Sequence, residues 1–163
     1  MPAPPEILAL IDDMPARHLR TDEVLYSQGA DSVVEVAVLV DGVLRVEQDG
    51  VALATITTPG AFIGEIGALL GTDRSATVVA VEPSTVRVIG DPDTFFATHP
   101  ALAHELARQL AGRLHRLLAY LGDIRTQYAD SEGHLTMIDS VLGRLASRPA
   151  VDIEPGSDRS PDY

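Results

Sequence analysis

The feature that most constrains the fold is a series of six short strand-like runs between residues 21 and 90. Val, Leu, Ile and Thr dominate these runs, and turn residues such as Gly, Pro and Asp separate them. The runs are EVLYS (23–27), VVEVAVLV (33–40), GVLRVEQ (42–48), VALATITT (51–58), ATVVAV (76–81) and STVRVI (84–89). Many short strands at this spacing are typical of an antiparallel sandwich or barrel. The predicted fold class is mainly β: an antiparallel jelly-roll β-barrel with flanking N-terminal and C-terminal α-helices.

A hairpin is predicted over residues 43–57, around the dipeptide Asp49-Gly50. A type I′ turn needs positive φ at both central residues, which Gly adopts freely and Asp tolerates. The third and fourth runs are therefore expected to be antiparallel neighbours.

The ends of the chain have a helical pattern. Residues 5–13 predict a short helix with Pro near its start, and residues 91–99 predict another. Pro100 then opens a long helix to residue 128, in which apolar residues recur at a spacing of 3 and 4 from Leu114 onward. That stripe indicates either a coiled-coil seam or packing on the chain's own barrel. A last amphipathic helix is predicted over residues 132–147.

These patterns predict four segments in chain order. They are an N-terminal helical segment (1–19), a β domain with its long C-terminal helix (20–128), an extra amphipathic helix (129–148) and an acidic, Pro-rich, disordered tail (149–163).

Composition excludes several classes of function. The 163 residues carry a net charge of −12, and all 12 basic residues are Arg. Nucleic acids and anionic membranes require clustered positive charge, so neither is an expected partner. There is no Cys, which excludes disulfides and thiolate metal sites, and no run of about 18 apolar residues, which argues against membrane insertion. The N-terminus lacks signal-peptide features, so a cytoplasmic location is expected.

The stretch FIGEIGALLGTDRSATV, residues 62–78, carries the candidate chemistry. Glu65 to Leu70 are expected to form a short helix that Gly71 ends, with its first backbone N–H groups available to an anion. Arg74 follows on a short loop, where its guanidinium can bind two phosphate oxygens in one plane. The Glu65 carboxylate is a hydrogen-bond acceptor only, which suits a hydroxyl donor such as a ribose 2′-OH. Phosphate donors beside a hydroxyl acceptor indicate a nucleotide, and without a Walker lysine a singly charged phosphate is favoured.

This stretch resembles the phosphate-binding cassette of cyclic nucleotide-binding domains, in which F-G-E, an apolar residue, a small residue and Leu precede R-(S/T/A)-A. The resemblance extends over about residues 20–125. It implies an eight-stranded jelly roll that holds a cyclic nucleotide, with the phosphate on Arg74 and the ribose on Glu65. The binding residues that it implies are Ile63, Gly64, Glu65, Ile66, Gly67, Arg74, Ser75 and Ala76.

The same resemblance implies that the long helix covers the base, through Arg113, Leu117, Leu118 and Leu121. Leu117 and Leu118 stand near the place of hydroxyl residues in the cAMP-binding activators of the family, so this lid would stack on a base without reading its edge. Ser75, where Thr is the other choice, favours cAMP over cGMP.

No catalytic set and no metal site is predicted. All five His residues lie outside residues 21–90, which argues against a metal-binding jelly roll, and no nucleophile motif occurs. The predicted function is a stand-alone, non-enzymatic cAMP or cGMP receptor without the DNA-binding module of the catabolite activators. Helices 100–128 and 132–147 would move on binding and signal to a protein partner or form a homodimer. The alternative is a degenerate domain that acts as a ligand-independent assembly module.

Overall fold

The structure is a computed structural model that describes residues 4–30, 34–127 and 140. The chain divides into two compact units, Met1–Ala111 and Gly112–Tyr163. The predicted helix 132–147 and the predicted tail 149–163 lie outside the described residues, apart from Ser140.

The described residues form eight strands and four helices. The strands are β1 (Ala16–Leu19), β2 (Val24–Tyr26), β3 (Val36–Asp41), β4 (Leu44–Gln48), β5 (Val51–Ile56), β6 (Phe62–Ile63), β7 (Thr77–Ala80) and β8 (Ser84–Ile89). The helices are α1 (Pro4–Leu10), α2 (Glu65–Leu70), α3 (Pro92–Thr98) and α4 (Pro100–Gln127).

The strands form two four-stranded antiparallel sheets, with orders β1-β8-β3-β6 and β2-β7-β4-β5. This arrangement confirms the predicted jelly-roll class with flanking helices. The predicted hairpin is also present: β4 and β5 pair from Leu44↔Ile56 to Gln48↔Val51. Asp49 and Gly50 between them have φ of 51° and 78°, the two positive values that a type I′ turn needs.

Two apolar clusters share the β1-β8-β3-β6 sheet. Ala37 and Leu39 of β3 point toward the second sheet and join the first cluster, whereas Val36 and Val38 point to the opposite face. Successive strand residues face opposite sides, so the continuous apolar run of β3 serves both clusters. The second cluster also contains Ile11, which follows α1, and the helical residues Ile7, Phe95, Leu102 and Leu106. The helices of the first unit therefore cover the outer face of this sheet.

Two strands differ from the sequence prediction. Ala16–Leu19, assigned above to a helical N-terminal segment, form β1, because they pair with β8 from Ala16↔Arg87 to Leu19↔Ser84. The sequence ARHL has no apolar alternation, so only this long-range pairing makes it a strand. β6 has two residues, too few for a periodic pattern, and pairs through Ala37↔Ile63 and Val38↔Phe62. The first helix ends at Leu10, earlier than the predicted residue 13.

Candidate functional site

The short helix α2 begins immediately after the edge strand β6. Gly64 is its N-cap, with φ of 78°, and Gly71 ends it with φ of 62°. The bounds Glu65–Leu70 agree with the sequence prediction, because both flanking glycines adopt the left-handed conformation that side chains disfavour. Pairing of β6 with β3 thus places the start of α2 at the rim of the barrel.

The loop that carries Arg74 is tied to the turn after β2. The backbone N–H of Arg74 donates to the carbonyl of Ala30 at 3.3 Å, and the N–H of Gly29 donates to the carbonyl of Arg74 at 2.8 Å. These two bonds fix the loop between α2 and β7 against residues more than forty positions earlier in the chain. The Cα of Arg74 is therefore held by the barrel and not by the loop alone.

The side chain of Arg74 returns to the start of α2. It is only 5% exposed. Its Nη1 donates to the carbonyl of Gly64 at 2.6 Å, and its Nη2 donates to the carbonyl of Glu35 at 2.9 Å. The central guanidinium carbon lies over the Tyr26 ring, 4.0 Å from the ring centroid. A cation at this distance from an aromatic face is attracted to it, so three groups orient the plane of the guanidinium.

Tyr26 and Glu35, which both contact Arg74, link it to Arg17 of β1. The carboxylate of Glu35 accepts from both terminal nitrogens of Arg17, at 3.2 and 3.4 Å. Burial is the main reason that the pKa of Tyr26 lies well above its usual value, and the negative charge of Glu35 raises it further, against the opposing charges of Arg74 and Arg17. The phenol is therefore neutral over the whole physiological range.

The other predicted binding residues lie along the chain near the start of α2 and near Arg74. Glu65 is 2% exposed, although a carboxylate at the first position of a surface helix would ordinarily face water. Ile63 and Gly67 are buried, Gly64 and Ala76 are half-buried, and Ile66 and Ser75 are exposed. The structure thus brings Gly64, Glu65 and Arg74 together, with the remaining residues adjacent along the chain.

The predicted base lid lies in another part of the chain. Arg113, Leu117, Leu118 and Leu121 are all on α4, within the unit Gly112–Tyr163. Leu117 and Leu118 are exposed by 48% and 37%. Their role toward a nucleotide stays a prediction.

Sequence reasoning missed Tyr26, Glu35 and Arg17. Tyr26 ends a strand-like run, where an aromatic residue most often indicates core. Glu35 is an acidic residue within an apolar run, and this was the one feature of the sequence that could have indicated a functional role for it. Neither feature reveals a contact with Arg74, because those contacts join residues 39 or more positions apart.

Neither a membrane span nor a metal site is found among the described residues. None of the described helices combines the length and apolarity that a membrane span requires. Within the same residues, no three His, Cys, Asp or Glu side chains gather in a way that suits a metal ion.

Comparison with known proteins bears on this arrangement. The family model for the cyclic nucleotide-binding domain matches residues 16–96, from β1 to α3. Comparison with curated proteins gives no match.

Solved structures share the fold. The catabolite activator protein of Thermus thermophilus is similar with 26% identity and a TM-score of 0.61, over 75% of this chain and 60% of that protein. This chain therefore spans less than two thirds of that relative's length.

Two further structures support the fold alone. The N-terminal domain of a transcriptional regulator from Streptomyces coelicolor A3(2) is 24% identical, with a TM-score of 0.50 over 69% of this chain and 81% of that one. A protein from a cyclic-GMP-dependent signalling pathway that regulates bacterial phytopathogenesis is 24% identical, with a TM-score of 0.55 over 68% of this chain and 93% of that one.

The two-sheet architecture, the family match and the similar structures agree with one another. The family consists of regulatory ligand-binding domains that are generally not enzymes. Through residues 16–96, this chain belongs to the cyclic nucleotide-binding domain family.

Proposed function

We propose that this protein is a receptor that binds a cyclic nucleotide at the corner formed by Gly64, Glu65 and Arg74. The observation that carries the proposal is the position of Arg74. In a chain of net charge −12, a buried guanidinium stands at the start of α2 beside the carbonyl of Gly64. A local cation of this kind is what an anionic ligand needs in a protein whose overall field repels it.

Each part of the nucleotide has a matching group. The cyclic phosphate binds the guanidinium of Arg74, with support from Ser75, Ala76 and the first N–H groups of α2. The ribose 2′-hydroxyl donates to the carboxylate of Glu65, which is an acceptor only.

The apolar and small residues of the cassette shape the site. Gly64 and Gly67 let the sugar and phosphate approach the backbone closely, and Ile63 and Ile66 flank them as apolar residues of the cassette. The residues proposed to cover the base are Arg113, Leu117, Leu118 and Leu121.

The proposed ligand is cAMP in preference to cGMP. Ser75 in the cassette supports cAMP, whereas Leu117 and Leu118 supply no hydroxyl to read a purine edge. One structurally similar protein belongs to a cyclic-GMP-dependent pathway, so both nucleotides belong in the test.

The proposed output is a change in the position of the C-terminal helices. A ligand with higher affinity for one arrangement of the helices shifts the population toward it. The partner would be a cytoplasmic protein or a second copy of this chain, since the net charge of −12 opposes binding to nucleic acid.

A second candidate function is ligand-independent assembly by a degenerate domain. Two observations favour it. Arg74 already donates to two backbone carbonyls, which also suits a purely structural role. Leu114, Leu117 and Tyr120 of α4 are 47%, 48% and 63% exposed, so they are accessible to another chain.

Isothermal titration of the purified protein with cAMP and with cGMP, after any co-purified ligand has been removed, tests the proposal. Saturable binding at micromolar concentration or tighter supports a receptor. Absence of heat and of a thermal shift with both nucleotides contradicts it. Light scattering after size exclusion, with and without nucleotide, separates the candidates, because assembly alone predicts an oligomer that forms equally in both conditions.

A further inference from the structure

The hydroxyl of Tyr26 is a buried polar group that makes no hydrogen bond to the described residues. Tyr26 is the last residue of β2 and is 7% exposed. Besides burial, Glu35 raises its pKa by its charge and, as the smallest effect, as a hydrogen-bond acceptor, but no described group meets the phenol oxygen with ordinary hydrogen-bond geometry. Buried hydroxyl groups nearly always have a partner, since leaving one unpaired forfeits its hydrogen bonds to water. This exception therefore needs a physical reason.

The position of the ring supplies one. The face of Tyr26 supports the guanidinium of Arg74, and Cε2 of the same ring lies 2.8 Å from where a Cβ on Gly64 would stand. The ring thus contacts both the cation and the glycine at the start of α2. Its hydroxyl belongs to the same corner of the barrel and not to the apolar interior alone.

We propose that Tyr26 is a further ligand-binding residue of this site. Its ring positions the guanidinium of Arg74, and its hydroxyl donates a hydrogen bond to the anionic oxygen that Arg74 binds. The inference rests on the proposed function, since it deepens the same phosphate site. It adds a neutral donor from β2 to the groups of α2 and its following loop.

The charges around Tyr26 are consistent with a donor. The groups that face it are Glu35, Arg74 and Arg17. Burial and Glu35 hold the pKa of the phenol far above neutrality, so the hydroxyl keeps its proton. The carboxylate of Glu35 accepts mainly from the two terminal nitrogens of Arg17 and only weakly from the phenol, so a bound anion that also contacts Arg74 competes with Glu35 for the phenol proton.

Two variants of Tyr26 separate the roles of ring and hydroxyl. Tyr26→Phe keeps the ring and removes only the oxygen, and Tyr26→Leu removes the ring as well. The matched control is Tyr163→Phe at the last residue of the chain. Each full-length protein is titrated with cAMP and cGMP, and its thermal unfolding is recorded without ligand.

Tyr26→Phe is expected to weaken nucleotide binding about tenfold, because it removes a hydrogen bond to a charged group. The same variant is expected to raise the midpoint of unfolding without ligand by about 2 to 4 °C, since an unpaired buried oxygen is gone. Tyr26→Leu is expected to bind more weakly still, and Tyr163→Phe to match the wild type. Weaker binding together with higher stability is a combination that a purely structural tyrosine does not produce.

Equal affinity of Tyr26→Phe and wild type overturns the role of Tyr26 and leaves the receptor intact. Lower stability with unchanged affinity also overturns that role, and it indicates a hydroxyl bonded to Glu35. If the wild type itself binds neither nucleotide, the proposed function fails, and this inference fails with it.

Discussion

Gly64 and Arg74 approach so closely that no side chain fits between them. A Cβ built on Gly64 would collide with Nη1 of Arg74 and would lie 2.8 Å from Cε2 of Tyr26. Gly64 also has a φ of 78°, in the left-handed region that residues with a Cβ disfavour. Two independent constraints therefore require glycine at the start of α2, and the close approach is the one that concerns the position of the guanidinium.

Replacement of Gly64 by Ala should displace Arg74. We expect Gly64→Ala to lower the free energy of unfolding by about 1–3 kcal/mol and nucleotide affinity by more than about tenfold. Chemical unfolding and calorimetric titration measure the two effects. Gly71→Ala is the matched control, because Gly71 has a φ of 62° but nothing within 4 Å of its added Cβ. Gly71→Ala should lose stability and keep its affinity; equal affinity losses in the two variants would contradict the role of the close approach.

Removal of the guanidinium should affect both binding and folding. Arg74→Ala is expected to weaken nucleotide binding about 10- to 150-fold, the equivalent of ~1.5–3 kcal/mol for hydrogen bonds to a charged group. The carbonyls of Gly64 and Glu35 would also lose their donor, so the free energy of unfolding should fall by about 1–2 kcal/mol. Titration with cAMP and urea unfolding measure the two quantities.

Two further variants, Arg74→Lys and Arg20→Ala, serve as comparisons for Arg74→Ala. Arg74→Lys keeps the charge but not the planar fork, so its affinity should lie between those of wild type and Arg74→Ala. Arg20→Ala removes an exposed arginine from the loop between β1 and β2 and should bind normally. If Arg74→Ala binds as tightly as Arg20→Ala, Arg74 is a structural cation and the assembly candidate gains support.

The parts of the fold that the sequence could predict depend on local conformational constraints. Asp49-Gly50 determined the β4–β5 hairpin, because few residues accept two successive positive φ values. Gly64 and Gly71 set the bounds of α2 for the same reason. The combined motif, from Gly64 to Leu69 and from Arg74 to Val78, then carried the resemblance to a family that the comparisons confirm.

The rest depends on contacts between distant residues. β1 is a strand because Ala16–Leu19 pair with β8, some 70 residues later. The stack of Tyr26 on Arg74 and the bond from Arg74 to the carbonyl of Glu35 arise only when β2, β3 and the loop after α2 meet. Local periodicity and short motifs do not predict contacts between distant residues, so the sequence did not identify these residues as part of the site.

The cap of α3 should make a pH-dependent contribution to stability. The carboxylate of Asp91 accepts from the N–H of Thr94, and this bond holds the pKa of Asp91 below its ordinary value of 3.8. Because the pKa of Asp91 is lower in the folded state, its stabilisation is complete above the ordinary value of 3.8. It is lost as the pH falls through the folded-state pKa. Asp91→Ala should therefore unfold at a lower temperature than wild type at neutral pH, and the gap should narrow below about pH 4.

Asp91→Asn separates the cap from the charge. Asn also accepts at an N-cap but does not titrate, so this variant should stay close to wild type at neutral pH. Thermal unfolding of the three proteins between about pH 3 and pH 7 tests the expectation. A gap between wild type and Asp91→Ala that stays constant over this range would show that the charge of Asp91 contributes nothing.

The proposed contact between Glu65 and the ribose can be tested by changing both partners. Glu65→Gln keeps the size of the buried side chain and removes its charge, so binding of cAMP should weaken about tenfold. Loss of the 2′-hydroxyl, in 2′-deoxy-cAMP, should weaken binding to the wild type by a similar factor. If the two groups bond to each other, the combined change should cost little more than either one alone.

Glu105→Gln provides the matched control for this cycle, since Glu105 is a buried glutamate on α4 and not a residue of the cassette. In that variant the loss of the 2′-hydroxyl should have its full wild-type effect. Four titrations on Glu65 and four on Glu105 give two coupling energies, which we expect to be about 1–2 kcal/mol and about zero. Additive losses for Glu65→Gln and 2′-deoxy-cAMP would mean that the buried carboxylate organises α2 without touching the sugar.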